Sequence, residues 1–125
     1  MTTEYKTPTL TLRVHDNFVL ALANTYVSIS QQEVDFLASV ANKHFTGPFG
    51  VIEVRDKNIS IDPKVHAEVK AILKNYVAYA LVTNDIKAVK NFKQEEAFMK
   101  YEHHKLCSSI DEAKEWITSV LPAVK

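Results

Sequence analysis

The segment Tyr76-Val77-Ala78-Tyr79-Ala80-Leu81-Val82 decides the fold of this chain. It is a nearly unbroken apolar run of strand length, which is typical of a central strand that is covered on both faces. Such strands belong to mainly parallel sheets that carry helices on their two sides. We therefore expect this segment to lie inside a sheet and not at its edge.

Helix signals stand on both sides of this strand. Asp62-Pro63 opens a helix before it, with Asp as the cap and Pro at the first helical position, where a missing N–H costs nothing. The buried stripe of that helix comprises Val65, Val69, Ile72 and Leu73. Thr83-Asn84-Asp85 follows the strand and is suited to cap another helix. That helix carries Val89, Phe92 and Met99 on its apolar side.

Two further strands are predicted near the N-terminal end. Residues 9 to 14 read Thr-Leu-Thr-Leu-Arg-Val, an alternation with a period of two that predicts a strand with one wet face. The turn His15-Asp16-Asn17 then leads into the apolar run Phe18 to Leu22. We expect the two segments to pair as an antiparallel hairpin, with residues 9 to 14 at the edge of the sheet.

The remaining elements complete one α/β domain. Ser30-Gln31-Gln32-Glu33 has the form of a capping box and predicts a helix over residues 31 to 45, followed by a strand at residues 51 to 54. A short strand at residues 104 to 107 precedes a second capping box, Ser109-Ile110-Asp111-Glu112, and a last helix. The order β-β-α-β-α-β-α-β-α predicts a five-stranded mixed, mainly parallel sheet with four helices over residues 1 to 125.

Composition excludes several classes of function. Fifteen Lys and Arg balance fifteen Asp and Glu, so the basic excess that nucleic-acid binding requires is missing. The apolar runs are far shorter than the ~20 residues that span a bilayer, and the first residues do not resemble a signal peptide. Cys107 is alone and forms no internal disulfide, which fits a reducing compartment. We expect a cytoplasmic protein with no nucleic-acid partner and no membrane span.

The order and length of these elements resemble the STAS domain, the SpoIIAA-like fold of the bacterial anti-sigma-factor antagonists. The opening hairpin, the loop from Val54 to Asp62 and the segment Ser108-Ser109-Ile110-Asp111-Glu112-Ala113 carry the resemblance, which covers nearly the whole chain. It implies a domain that binds another protein. In regulatory members, the loop before the second helix carries an Asp-Ser/Thr-Ser-Gly segment whose hydroxyl is phosphorylated. Here Asp62 matches the acidic residue but Pro63 replaces the hydroxyl, so we expect no phosphoswitch at that position.

The predicted partner or ligand site consists of Arg55, Ser60, Asp62 and Asn84. Ligands of open α/β sheets lie beyond the carboxyl ends of the strands, where these residues are expected. Two helix N-termini would direct their amides to that edge and favour an anionic group. Helix capping and turn formation also account for most polar residues there, but Arg55 and Ser60 have no obvious capping role.

No catalytic, cofactor or metal site is recognisable. Two glycines are too few for a phosphate-binding loop, and Ser109 lacks the G-x-S-x-G context of a hydrolase nucleophile. His103 and His104 are expected to point to opposite faces of a strand, and no histidine has a partner at zinc spacing. The apolar neighbours of Cys107 raise a thiol pKa rather than lower it. We therefore expect a protein that is not an enzyme and has no cofactor.

Two functions fit these expectations. The first is a non-enzymatic protein-interaction or regulatory domain of the STAS type that lacks the switch residue. The alternative is a carrier of a small ligand (a lipid, a nucleotide or an anionic metabolite), by analogy with the architecture of lipid-transfer CRAL-TRIO domains. An aromatic cage is not expected, because Tyr76 and Tyr79 point to opposite faces of a regular strand. A homodimer is expected through the edge strand at residues 9 to 14.

Overall fold

The computed structural model describes residues 3–23, 28–55 and 59–121. The helices in these ranges are α1 (Gln31–His44), α2 (Lys64–Ile72), α3 (Ile86–Glu95) and α4 (Ile110–Val120), and a short 3₁₀ turn (Glu96–Phe98) follows α3. The strands are β1 (Thr3–Lys6), β2 (Leu10–Val14), β3 (Phe18–Ala23), β4 (Ser28–Ile29), β5 (Phe49–Val54), β6 (Ser60–Ile61), β7 (Tyr76–Val82) and β8 (His103–Cys107). None of the helices in these ranges is long and apolar enough to cross a bilayer.

The strands form a six-stranded mixed sheet in the order β1-β2-β3-β5-β7-β8, and β4 and β6 form a separate parallel pair. The pairs β1–β2 and β2–β3 are antiparallel, whereas β3–β5, β5–β7 and β7–β8 are parallel. The α/β class, the antiparallel hairpin, the mainly parallel sheet and the four helices are confirmed. As expected, β7 lies inside the sheet, between β5 and β8.

The main sheet has one strand more than the five expected, and this changes its edge. Residues 3–6 read Thr-Glu-Tyr-Lys and are largely exposed, so they carry no apolar signal of a strand. They nevertheless pair with β2, and Glu4 and Arg13 form an ion pair across the two strands at 2.8 Å. β2 is therefore an inner strand, and the expectation of a dimer through a free edge at residues 9 to 14 loses its basis.

Side-chain caps fix where the helices begin. The Glu33 carboxylate accepts hydrogen bonds from the backbone N–H and the hydroxyl of Ser30, as in the expected capping box of α1. The carboxylate of Asp62, the expected cap of α2, accepts from the N–H of Lys64 at 3.0 Å, but Pro63 holds the N-cap position and the helix begins one residue later than expected. At α3 the cap is Asp85, which accepts from the N–H of Ala88 at 3.0 Å.

Helix α4 covers one face of the sheet. Its Ala113 and Ile117 pack into a core that also holds Phe18, Leu20, Ile52, Ala78, Ala80, Val82, Cys107 and Leu121. Gly50 lets the helix approach closely, because a Cβ atom there would lie 3.0 Å from Cδ1 of Ile117 and 3.0 Å from the carbonyl oxygen of Ala78. The opposite face carries the larger core, to which α1, α2 and α3 all contribute.

A β-bulge at the start of β7 determines which side chains share that larger core. Phe49 pairs with Tyr76 and Gly50 pairs with Ala78, so Val77 is an extra residue in β7. Tyr76 and Tyr79 consequently lie on the same face of the sheet, in the core beneath α1 and α2. The expectation that they point to opposite faces was wrong, because it assumed a strand without an irregularity.

Candidate functional site

An open cavity of about 70 Å³ lies between the sheet and the helices α1 and α2. Ten of its lining side chains are aliphatic: Leu10, Leu12, Ala21, Ile29, Val34, Leu37, Val51, Ile61, Val65 and Val69. Ile29, Leu37 and Ile61 are partly exposed, whereas the other lining residues are buried. The mouth of the cavity therefore lies where β4, β6 and α1 meet.

Six polar or aromatic residues complete the lining: Glu33, Glu53, His66, Tyr76, Tyr79 and Tyr101. Glu33 belongs to the cap of α1 and also accepts a hydrogen bond from the Thr9 hydroxyl at 2.9 Å. The remaining five belong to a network of buried polar side chains that adjoins the cavity. Because the side chains of this network bind one another, the lining presents an almost wholly apolar surface.

Arg55 is the centre of this network. Its Nε and Nη2 atoms donate to the Glu53 carboxylate at 2.9 and 3.1 Å. Its Nη1 and Nη2 atoms donate to the Glu95 carboxylate at 2.6 and 3.0 Å. The guanidinium thus makes two bidentate ion pairs, the strongest geometry for such contacts, and all three side chains are buried.

His66 and three tyrosines extend the network along the sheet. Nε2 of His66 lies 2.8 Å from Glu95 Oε1, and because a carboxylate only accepts, this nitrogen carries a proton. Nδ1 of His66 lies 2.9 Å from the Tyr101 hydroxyl, and the Tyr101 ring stacks on the ring of Tyr76. The Tyr79 hydroxyl donates to Glu53 Oε1 at 2.5 Å.

Burial and neighbouring charges set the protonation of these groups. Desolvation by burial is the largest cause that raises the pKa of Tyr76, Tyr79 and Tyr101, so all three are neutral phenols at neutral pH. Burial also opposes ionisation of Glu53, but the Arg55 guanidinium and the Tyr79 hydroxyl outweigh it and hold its pKa below the ordinary value. At Glu33, hydrogen bonds from Ser30 and Thr9 likewise outweigh burial and lower the pKa.

The four residues of the predicted site differ in burial, since Arg55 is buried and Ser60, Asp62 and Asn84 are exposed. Arg55 is buried in the ion-pair network, which corrects the expectation that its charge is available at the surface. Ser60 and Asp62 are exposed on either side of Ile61, a residue of the cavity mouth, but neither lines the cavity. Asn84 is exposed and precedes the cap of α3.

Apart from Arg55, sequence reasoning did not select the residues of the network as site residues, although two of them carry a signal. Glu53 is a charged residue within the strand Val51-Ile52-Glu53-Val54, and His66 lies next to Val65 in the apolar stripe of α2. A charged or polar residue in a buried pattern requires a buried partner. Arg55, two residues after Glu53 and therefore on the same side of an extended chain, is the nearest candidate.

No group of three or more potential ligands among the described His, Cys, Asp and Glu residues could hold a metal ion. His104 instead contacts Glu96, with Nε2 2.9 Å from the carboxylate.

Comparison of the chain with models of protein families gave no match. Comparisons with curated proteins and with solved structures gave no significant match either. The resemblance to the STAS domain therefore stays a prediction.

Proposed function

We propose that this protein binds a small molecule whose apolar part enters the cavity between the sheet and helices α1 and α2. The observation that carries the proposal is an aliphatic cavity that opens to solvent at its mouth. The polar side chains that adjoin it are hydrogen-bonded to one another. Ligand sites in proteins are concave, mostly apolar and largely preformed, and this cavity has all three properties.

The volume limits what can enter. A water molecule takes up roughly 10–15 Å³ of such a cavity, so about 70 Å³ accommodates on the order of five water-sized groups. This is enough for a short branched alkyl group or the end of a chain. The rest of the ligand would project past Ile29, Leu37 and Ile61 into solvent.

The ion-pair network supports this function by holding the cavity open. Arg55 and Glu53 belong to the β5 end of the sheet, whereas Glu95 belongs to α3 and His66 to α2. Their mutual hydrogen bonds tie three elements together behind the lining. A lining that is rigid before the ligand arrives does not have to be ordered when it binds, which favours affinity.

Mass spectrometry of the freshly purified full-length chain under native conditions tests the proposal. We expect a retained small molecule in the wild type and in Ser39→Trp, which adds an indole to an exposed position of α1. We expect its loss in Leu37→Trp, which places the same indole at the cavity mouth. A wild-type apo mass, together with unchanged amide resonances of the lining residues when excess benzene is added, would overturn the proposal.

The protein-interaction function implied by the STAS resemblance and the cytoplasmic location remain predictions. The homodimer also remains one, although β2 no longer offers a free edge for it. The native mass spectrum also reports on the dimer, because a monomer and a dimer of a 14.2 kDa chain are well separated in mass.

A further inference from the structure

The charged residues of the cavity lining, within the part of the chain that the structure describes, are Glu33 and Glu53. Arg55, the guanidinium beside them, is shared between Glu53 and Glu95. Glu33, Glu53 and Glu95 therefore set three carboxylates around the cavity against one guanidinium and the His66 imidazole, which contacts Glu95. An anion that entered would meet this negative excess in a poorly solvated place, whereas a cation would be attracted.

Aromatic rings cluster at the same lining. The bulge in β7 puts Tyr76 and Tyr79 on one face, and Tyr101 joins them, with ring centroids 4.5 Å from Tyr76 and 5.4 Å from Tyr79. The His66 ring lies 5.0 Å from that of Tyr79. Neutral aromatic rings attract cations through their quadrupoles, most strongly where water is excluded.

The hydrogen bonds of the carboxylates determine which kind of cation fits. The Glu53 oxygens already accept from Arg55 and Tyr79, and the Glu33 oxygens accept from Ser30 and Thr9. A primary ammonium would lose its strong hydration on entering the cavity and would find these acceptors already occupied. Its N–H groups would then lack partners, which makes binding unfavourable in free energy. A quaternary ammonium has no N–H to satisfy, and its methyl groups match the aliphatic walls. With its three methyls and one methylene it has about the size that the cavity holds.

We propose that the cavity binds a methylated ammonium group, with the remainder of the ligand projecting from the mouth. The inference rests on the proposed function and specifies its ligand. It also replaces the anionic ligand that the strand-end residues suggested, because Arg55 is not free to receive an anion.

Three probes of nearly the same shape and different charge test this proposal: choline, 3,3-dimethylbutan-1-ol and 3,3-dimethylbutanoate. Each is titrated into the ¹⁵N-labelled full-length chain at pH 7, and dissociation constants are taken from the amide shifts of lining residues such as Val34 and Val65. We expect choline to bind about tenfold or more tightly than the alcohol, and the carboxylate to bind most weakly.

The outcomes separate the two proposals. If the alcohol binds as tightly as choline, or the carboxylate binds most tightly, the ammonium proposal is wrong while the cavity remains a binding site. If none of the three probes shifts the lining amides and the native mass spectrum shows no retained molecule, both proposals fail.

Two variants that each remove one charge measure the electrostatic contribution to choline binding. Glu33→Gln removes a lining charge but keeps a side-chain oxygen for Ser30, and Glu68→Gln removes a charge from an exposed position on α2. We expect Glu33→Gln to weaken choline binding severalfold and to leave the alcohol unchanged, and Glu68→Gln to change neither. Equal weakening of choline and alcohol in Glu33→Gln, in a protein of unchanged melting temperature, would show that charge does not select the ligand.

Discussion

The role of Arg55 in the structure differs from the role that its place in the sequence suggests. In the sequence it follows a strand and offers a positive charge to a ligand, but in the structure its side chain lies buried between Glu53 and Glu95. Removing one member of a buried ion pair leaves the partner charged and uncompensated, which costs far more than the net contribution of the pair. Two carboxylates would be left in that condition here.

We therefore expect Arg55→Ala to lower the free energy of unfolding by about 3–5 kcal/mol. The control is Arg13→Ala, which removes an exposed ion pair with Glu4 and should cost no more than about 1 kcal/mol. Urea unfolding followed by circular dichroism measures both. A loss in Arg55→Ala as small as that in Arg13→Ala would contradict the role given to the network.

Glu53 should make stability depend on pH. Its pKa in the folded protein lies below the ordinary value near 4.5, so the folded state binds fewer protons than the unfolded state in this range. The stabilisation is present above pH 4.5 and is lost as the pH falls through the folded pKa. We expect the urea midpoint of the wild type to fall between pH 6 and pH 3 by more than that of Glu53→Gln.

Glu68→Gln serves as the control for this measurement, since Glu68 is exposed on α2. Its urea midpoint should follow that of the wild type across the same pH range. Parallel curves for all three proteins would mean that Glu53 does not contribute to the acid sensitivity.

The sequence permits part of this network to be predicted and hides the rest. Glu53 and Arg55 lie two residues apart on an extended chain, so their shared side of the strand follows from the strand prediction. The contact between Arg55 and Glu95 joins residues 40 positions apart, and the carboxylate comes from the last residue of α3. A pattern of neighbouring residues cannot predict a contact over such a separation in sequence.

At the scale of the elements, the contact between α4 and the sheet depends on Gly50. The helix approaches so closely that a methyl group at this position would need the Ile117 side chain or the backbone of β7 to move. Gly47, in contrast, has no atom within 4 Å of the position that a Cβ would take. The same substitution can therefore be made at both glycines, with Gly47 as the control for Gly50.

We expect Gly50→Ala to destabilise the protein by about 1–3 kcal/mol, as overpacked cores do. Gly47→Ala should be neutral or stabilise it by up to about 1 kcal/mol, because it restricts the unfolded chain. Thermal unfolding followed by Trp116 fluorescence measures both variants. If the two melting temperatures agree, α4 does not pack as closely as described.

Element boundaries followed from the sequence where caps and periodicity are strong. The helix predicted over residues 31 to 45 is Gln31–His44, and the strand predicted over residues 104 to 107 is His103–Cys107. Strand β1 could not be found, because its residues are exposed and its pairing uses the backbone. The bulge at Val77 also escaped prediction, since it depends on how β5 pairs and not on residues of β7 alone.

At the scale of the whole molecule, the two faces of the sheet are covered unequally. Helix α4 packs on one face, and α1, α2 and α3 pack on the other. Cys107 lies at the end of β8 on the side of α4, where it is buried. Burial, reinforced by the nearby Glu112 carboxylate, raises the pKa of this thiol. A buried and protonated thiol is a poor nucleophile.

We expect Cys107 to react with a disulfide reagent at pH 8 far more slowly in the native protein than in the protein unfolded in urea. The Ser39→Cys variant gives an internal standard, because that position is exposed on α1. Its reaction should show one fast and one slow thiol. Two fast thiols in the native variant would mean that the cover provided by α4 opens readily.

The bulge at Val77 has a consequence for how this site would respond to a change in the gene. Because Val77 is an extra residue, Tyr76 and Tyr79 share a face although they are three positions apart. Deletion of Val77 would leave them two positions apart, where regular alternation keeps both rings on the cavity side. A strand that kept Val77 but lost the bulge would instead turn the Tyr76 ring toward the side of α4. The lining is thus specified by how β7 pairs with β5 as much as by the identity of its residues.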